Sequence, residues 1–458
     1  MKRDTGRRDA VIARRIFMLS NKLLSTTFAG ALSAALILPA PVFAEAESKQ
    51  RIPMEEVQRF SNAISQIKKY YVKSTDDKEL FDNAIRGMLS GLDPHSTYLD
   101  EDAFSDLQTS TNGEFGGLGI EVTMEDGVVK VVTPLVDTPA FKSGVKAGDY
   151  IIKLGNKSVQ GLELKDAVRI MRGKPGSSIE LTILRKGETK PLVINVEREK
   201  IQIKSVKSKL LDKKFGYIRL TQFQALTNKD MLGAINQLKQ ESGGHLNGMI
   251  LDLRNNPGGL LDSAIQISDA FINNDKVGDE EKIVYTEGRL PGTQFTALAN
   301  PGDVLENAPI VVLINNGSAS ASEIVAGALK DNKRAIIIGT QSFGKGSVQT
   351  VLPLDNKRGI KLTTALYFTP SGTSIQAKGI TPDIIVEEVS INKENEDGKF
   401  KGFSEAELQG HLLNKADVKD GKAAIKKASG DDEQKLIYDD YQLYAALTIL
   451  KGLAVAHR

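Results

Sequence analysis

Cysteine is missing from all 458 residues. Its absence excludes a thiol nucleophile, disulfides and thiolate metal sites. It also fits an oxidising compartment, where a stray thiol is a liability. Histidine is scarce: only His95, His245, His411 and His457 occur. None stands in a setting that makes a catalytic base, and His95, in a turn beside Asp93-Pro94, reads as structural. The net charge of +2 selects no class of partner, and no basic stripe with interleaved aromatics is present to grip nucleic acid. No cluster of ligating side chains points to a metal, and no motif to a cofactor. Beyond the first forty residues, no apolar run is long enough to span a bilayer.

What is present begins with a leader. Lys2, Arg3, Arg7, Arg8, Arg14, Arg15 and Lys22 form a basic region, and Leu23 to Leu38 an apolar one. Pro39 and Pro41 end the apolar run. Val42-Phe43-Ala44 offers small residues at the two positions a signal peptidase reads, so residues 1–44 are expected to be a secretory signal peptide. A retained anchor is the alternative reading, although the run is short for a full span. Arg14 to Met18 also resembles a twin-arginine signal. The expected location is exported and periplasmic, or anchored in the inner membrane facing the periplasm.

The mature chain is long enough for two to four domains. Residues 45–112 read as a helical region: Val57, Phe60, Ile64, Ile67 and Tyr71 recur at helical spacing, then Leu80, Phe81, Ile85 and Leu89. Residues 113–200 read as a module of short strands bounded by glycine turns, with the Gly117-Leu118-Gly119-Ile120 loop, the Ala147-Gly148-Asp149 turn and the Tyr150 to Leu154 strand in order. That order resembles a PDZ domain. In such domains a glycine-rich loop turns backbone N–H groups toward a peptide's terminal carboxylate, and the peptide adds as a strand at the sheet edge. Glycine suits the loop because the chain must turn tightly and approach an anion. Gly117, Leu118, Gly119 and Ile120 are therefore the expected tail-binding loop. Leu118 is expected to shape a pocket for the last side chain, and Arg172 to read a bound carboxylate. A solvated turn arginine is the plainer reading of Arg172.

Residues 201–390 alternate strands and helices, an α/β pattern. Met249 to Leu253 is a buried strand running into Arg254-Asn255-Asn256-Pro257-Gly258-Gly259. Ile310 to Ile314 is a second unbroken apolar run, as expected of a strand covered on both faces. Asn315-Asn316-Gly317 then breaks the chain, and Ser318, Ser320 and Ser322 precede a helix carrying Ile324, Val325, Ala328 and Leu329. A serine there meets unpaired N–H groups and the positive end of the helix dipole, a place where an oxyanion is stabilised. From the local pattern alone, an N-cap serine fits equally well. Lys345 lies in a Gly344-Lys345-Gly346 loop. A nucleophilic serine needs a base, and with histidine scarce, lysine is the available one. Residues 391–458 comprise a charged linker and a last helix whose apolar face, Ile437, Tyr441, Tyr444, Leu447 and Leu450, needs a surface to dock on.

These pieces together resemble the carboxyl-terminal processing proteases, also called tail-specific proteases. The resemblance covers Leu92 to Leu99, the PDZ order, Asp252 to Gly259, Gly317 to Ile324, Phe343 to Gln349 and the final helix. It implies Ser320 as nucleophile, Lys345 as general base and Gln349 as the residue holding the lysine, with an oxyanion hole at Gly258, Gly259 and Ala321. It implies an α/β multidomain fold: a core of the crotonase and Clp-protease kind, an inserted PDZ domain, an N-terminal helical segment and a C-terminal helix. The expected substrates are partly unfolded proteins with an exposed C-terminus. A homo-oligomer or an adaptor protein, and membrane association if the leader is uncleaved, are the further partners considered. A non-catalytic PDZ adaptor on a protease-like core is the alternative function, and the intact Ser320, Lys345 and Gln349 argue against it. Lysine's ordinary pKa of about 10.4 leaves a tiny neutral fraction near pH 7, so a base at Lys345 requires burial to bring it to roughly 7–8.

Overall fold

The computed structural model describes residues 52–274, 281–389 and 436–456. The expected leader and the charged linker up to residue 435 lie outside these residues. The chain forms two units, Met1–Thr75 and Asp76–Arg458. In the first, α1 (Met54–Tyr70) carries Glu55 and Glu56 in its first turn and Lys68 and Lys69 in its last, each sign placed to favour the helix dipole.

The second unit opens with α2 (Asp77–Ser90), capped by Asp76, whose side chain accepts the Glu79 N–H at 3.0 Å. β1 (Thr97–Leu99) and α3 (Glu101–Asn112) follow. The module expected over 113–200 is β2 (Glu114–Gly117), β3 (Ile120–Glu125), β4 (Val128–Pro134), the single turn α4 (Pro139–Lys142), β5 (Tyr150–Leu154), β6 (Lys157–Ser158), α5 (Leu164–Met171), β7 (Ser178–Leu184), β8 (Leu192–Glu197) and β9 (Glu199–Gln202). Its sheet has the order β3-β4-β5-β7-β8, and β2 and β9 pair as its stem. Val129, Val131, Ile151, Leu181 and Ile183 fill its own core. β3 is the edge strand, so one side of its backbone is open to a further strand.

The rest of the chain runs β10 (Val206–Leu211), β11 (Phe215–Leu220), α6 (Thr227–Glu241), β12 (Gly248–Asp252), α7 (Leu261–Asp269), β13 (Lys282–Gly288), β14 (Phe295–Leu298), β15 (Ile310–Ile314), α8 (Ala321–Asp331), β16 (Ala335–Gly339), β17 (Ser347–Pro353), β18 (Gly359–Phe368), β19 (Ile384–Ile385) and α9 (Tyr441–Ala456). One sheet has the order β10-β11-β12-β15-β16-β19, parallel from β11 onward. Every residue of β12 and β15 is buried. Helices cover both faces: Met231, Ile267 and Val325 from α6, α7 and α8 join one core cluster, and Leu443, Ala446, Leu447 and Leu450 from α9 meet Tyr217, Ile250 and Val311 on the other. That two-sided cover is why these strands read as unbroken apolar runs. Each such side chain stabilises the fold by ~1.5–3 kcal/mol relative to exposure.

A second sheet has the order β1-β18-β13-β14, with β17 on the other side of β18. It faces the loops that leave the carboxyl ends of β12 and β15, where open parallel sheets place their ligands. The helical stretch breaks at Asp440, between helical residues 436–439 and α9, where the Asp440 side chain accepts the Leu443 N–H at 3.0 Å. Arg254 joins that cap to the core. Its guanidinium donates to Asp252 at 2.7 Å, to Asp440 at 2.7 Å and to Gln442 at 3.0 Å.

Candidate active site

The site is built from the two loops that follow β12 and β15 and from the loop entering β17. Ser320 is the N-cap of α8 and has φ 53° and ψ −111°, a backbone region that costs a non-glycine residue on the order of 1–3 kcal/mol. Two contacts hold it there. The Ser320 N–H donates to Glu323 Oε2 at 2.7 Å, and Gly258 lies so close that a Cβ on it would stand 2.9 Å from the Ser320 Cβ. Gly258 itself has φ +100°, so glycine is required there on both counts.

Glu323 organises the site. It is fully buried, and its carboxylate accepts four hydrogen bonds. Oε1 takes the Ser342 hydroxyl at 2.7 Å and the Gly344 N–H at 2.6 Å. Oε2 takes the Ser320 N–H at 2.7 Å and the Lys345 N–H at 2.9 Å. Burial pushes the carboxyl above its ordinary range, while these four donors pull it down. One side chain thus ties the serine turn to the lysine loop. The Ser-x-x-Glu spacing at the start of a helix, a capping-box pattern, was the sequence signal for it, and the sequence reading passed over it.

Lys345 is half-buried. Burial holds its amine below the ordinary lysine range, the neighbouring Lys361 adds to that effect, and Glu323 opposes it. Gly344 and Gly346 let the loop lie flat on the 376–379 turn, since a Cβ on Gly346 would stand 2.5 Å from the Gln376 nitrogen. Ser320, Lys345 and Lys361 line one cleft of about 550 Å³ with Gly259, Ala321, Gln349, Val351 and Tyr367. No hydrogen bond joins Ser320 Oγ to Lys345 Nζ among the described residues. The buried Tyr367 hydroxyl donates to the Lys345 carbonyl and lies within hydrogen-bond reach of the Ser320 hydroxyl.

The expected oxyanion donors divide. The Gly258 N–H is already taken by Asn256 Oδ1 at 2.9 Å. The Gly259 and Ala321 N–H groups have no hydrogen-bond partner among the described residues, and both residues line the cleft. Gly259 has φ +149°, and a Cβ on it would stand 2.0 Å from the Phe223 carbonyl oxygen, so only glycine brings that N–H to the cleft wall. Ser318 and Ser322 are fully buried. Their hydroxyls donate to the Leu253 carbonyl at 2.8 Å and the Asn256 carbonyl at 2.9 Å, stitching the two turns together.

Gln349 lines the cleft, its amide nitrogen donates to Ser347 Oγ at 2.9 Å and Thr363 Oγ1 at 3.3 Å, and no hydrogen bond joins its carbonyl oxygen to Lys345 among the described residues. The register of β17 on β18 slips between Val348 and Gln349, and a bulge of this kind re-aims the side chain beside it. His95 sits in the turn held by Asp93, whose carboxylate accepts the His95 and Ser96 N–H groups at 2.8 and 3.0 Å.

In the PDZ-like module, Gly119 has φ +73° and faces Thr138 closely enough to exclude any side chain. Ile120 opens the edge strand. Leu118 packs in the module's core at 2% exposure. Arg172 is paired, donating to Asp106 on α3 at 2.6 Å with its guanidinium 5.0 Å over the Phe115 ring. Arg169 reaches the same helix at Asp102, 3.0 Å away. The next turns of α3 supply Leu107, Ser110 and Thr111 to the cleft.

Comparison with known proteins decides the family. Residues 214–386 match the model of Peptidase family S41, residues 116–196 that of a PDZ domain, and residues 36–103 that of the activating protease CtpB N-terminal domain. The chain is 46% identical over 426 residues to the carboxy-terminal-processing protease of Bartonella bacilliformis, covering 92% of this chain and 94% of that one. This chain belongs to the carboxy-terminal processing proteases. It is a serine-type peptidase carrying a PDZ domain. It is also 37% identical over 330 residues to the carboxy-terminal processing protease CtpA of Bacillus subtilis, covering 72% of this chain and 68% of the relative. Among solved structures it resembles the photosystem II D1 C-terminal processing protease, at 29% identity and a TM-score of 0.42 over 72% of this chain and 86% of that one. The non-catalytic adaptor reading is not favoured beside these relatives.

Proposed function

We propose that this carboxy-terminal processing protease cleaves through a Ser320–Lys345 dyad. The observation that carries the proposal is the Glu323 clamp, which holds Ser320 and a half-buried, cation-neighboured Lys345 on one cleft with the free Gly259 and Ala321 N–H groups. Ser320 Oγ attacks the scissile carbonyl carbon as its proton passes to the neutral Lys345 Nζ. The resulting oxyanion is met by the Gly259 and Ala321 N–H groups. The C–N bond breaks, and the leaving amine takes the proton from Lys345. Lys345 then takes a proton from water, the hydroxide attacks the acyl-serine, and Ser320 recovers its proton as the acid product leaves. Ligand-free hydrogen bonds in such sites are often long or absent and tighten with substrate, which fits the unmade Ser320–Lys345 bond. Gln349, through Ser347 and Thr363, steadies the strand beside the lysine.

The PDZ domain selects unfolded substrates by their C-terminal tail, which adds beside β3 with its carboxylate at the Gly117–Ile120 loop. The basic and apolar leader and the absence of cysteine support export to the periplasm, with membrane attachment where the leader is retained. No described helix is long and apolar enough to cross a membrane. Trapping tests the dyad directly. A fluorophosphonate should label Ser320 in the wild-type protein and leave Lys345→Ala unlabelled; equal labelling of both proteins would remove Lys345 from the mechanism.

A further inference from the structure

The cleft holds a second lysine that the dyad does not use. Lys361 lies on β18, opposite Val351 of β17 and Thr97 of β1. Its backbone is therefore paired on both sides and cannot drift. Its side chain lines the same cleft as Ser320 and Lys345. Among the described residues, neither Lys345 Nζ nor Lys361 Nζ has a carboxylate within ion-pair distance. This is unusual for a half-buried lysine, since apolar surroundings favour pairing.

The groups that face Lys345 come from four elements. α8 brings Glu323, whose oxygens are filled by four donors. β18 brings Lys361 and the Tyr367 hydroxyl. The turn before β1 brings His95, which feels the charge of both lysines, and behind it Asp93, whose carboxylate is occupied by its own turn. α7 brings Asp262 to the cleft wall. Of these, the cation that joins burial in lowering the Lys345 pKa is Lys361. A cation beside a half-buried amine disfavours a second positive charge there and favours the free base.

We propose that Lys361 is a positioning residue for the reaction: its ammonium, fixed by the strand in the shared cleft, keeps the Lys345 amine unprotonated and so able to take the Ser320 proton. The proposal rests on the dyad reading above, and its electrostatic part acts on Lys345 whether or not Lys345 is the base. The repulsion acts in the same sense as burial. Removing it makes Lys345 hold its proton to higher pH. With burial unchanged, the midpoint moves up and the free-amine fraction at neutral pH falls.

The test reads Lys345 itself before it reads activity. In a Ser320→Ala background, the pH dependence of Lys345 acylation by an amine-reactive ester is followed by peptide mass spectrometry, with and without Lys361→Gln and Lys361→Arg. Lys361→Gln is expected to move the midpoint up, and Lys361→Arg, which keeps the charge, to leave it in place. In the active background, the acidic limb of kcat/KM is expected to move with the midpoint, and the loss to shrink as pH rises. Thermal unfolding of each variant confirms that it folds. An unmoved midpoint in a folded Lys361→Gln variant would overturn the proposal, as would a rise in KM for acidic substrates with the limb in place, which would make Lys361 a substrate contact. If the midpoint moves while activity is insensitive to Lys345→Ala, the electrostatic coupling stands and the dyad fails.

Discussion

Glu323 Oε2 accepts the backbone N–H of Ser320 at 2.7 Å and, through the same oxygen, that of Lys345 at 2.9 Å. The proposed nucleophile and base thus share one buried anchor. Glu323→Gln keeps the shape but loses the charge and one oxygen acceptor, and a hydrogen bond to a charged group is worth about 1.5–3 kcal/mol. The variant is expected to lose roughly ten- to a hundredfold in kcat with KM little changed. A kcat within twofold of wild type would show that the clamp is not needed for turnover.

The pH profile follows from Lys345. Burial first, then Lys361, lowers its pKa, with Glu323 acting against them. A base with a depressed pKa is protonated and idle below that value and free above it, so activity should rise with pH through a midpoint below the ordinary lysine value of about 10.4. Steady-state rates from pH 5 to 10 check this. A profile that falls across that range, or activity lost to EDTA and restored by zinc, would contradict a lysine base.

Much of this site was legible in the sequence, for physical reasons. The run Ile310 to Ile314 announced a strand covered on both faces, and the serine turn after it lies where a parallel strand delivers its chain to a helix N-terminus. Gly258 and Gly259 were legible as special backbone, but which N–H stays free depends on Asn256, whose side chain reaches back to Gly258. Gln349 was matched to the lysine-holding position by the resemblance alone, and its amide nitrogen donates to Ser347 and Thr363 beside a slip in strand register. Within the helical region read over 45–112, α3 was not singled out, because Phe104 and Leu107 are too few apolar residues to mark a helix, although Asp100 and Gly113 cap it at both ends. Lys361 and Tyr367 enter the cleft by pairing between distant strands, which no local pattern announces.

The Arg254 fork holds the last helix to the core. Arg254→Ala takes the guanidinium from the fully buried Asp252 carboxylate, leaving it the Tyr217 hydroxyl at 2.8 Å, the residue 254 N–H and Arg219 at 3.9 Å, so the loss should fall at or below the about 3–5 kcal/mol of a broken buried pair. Asp440 adds a pH signature: burial acts to raise its pKa, but Arg254 outweighs that and holds it below the ordinary aspartate range. A depressed carboxylate stabilises the fold above its unfolded pKa, and that stability is lost as pH falls through the folded value. Urea unfolding at pH 7 should show the Arg254→Ala loss, and Asp440→Asn should flatten the acid side of the wild-type curve. Unchanged unfolding in Arg254→Ala would mean that the helix is held by its apolar face alone.

Tail selection is tested with one unfolded substrate carrying an apolar tail, the same tail amidated, and a tail ending in Asp-Asp. Amidation removes a charge-assisted hydrogen bond and should weaken binding by roughly ten- to a hundredfold. The free apolar tail should be cut fastest at low substrate concentration. Equal rates for all three would show that the PDZ domain does not select by C-terminus.

The most direct test of the central claim is turnover of that apolar-tailed substrate by the wild-type protein, Ser320→Ala, Ser318→Ala and Ser322→Ala side by side. Ser318 and Ser322 donate to the Leu253 and Asn256 carbonyls from fully buried positions, so their loss should lower stability and leave turnover measurable. Ser320→Ala should fold and show no turnover above background. Full activity in Ser320→Ala would contradict the account.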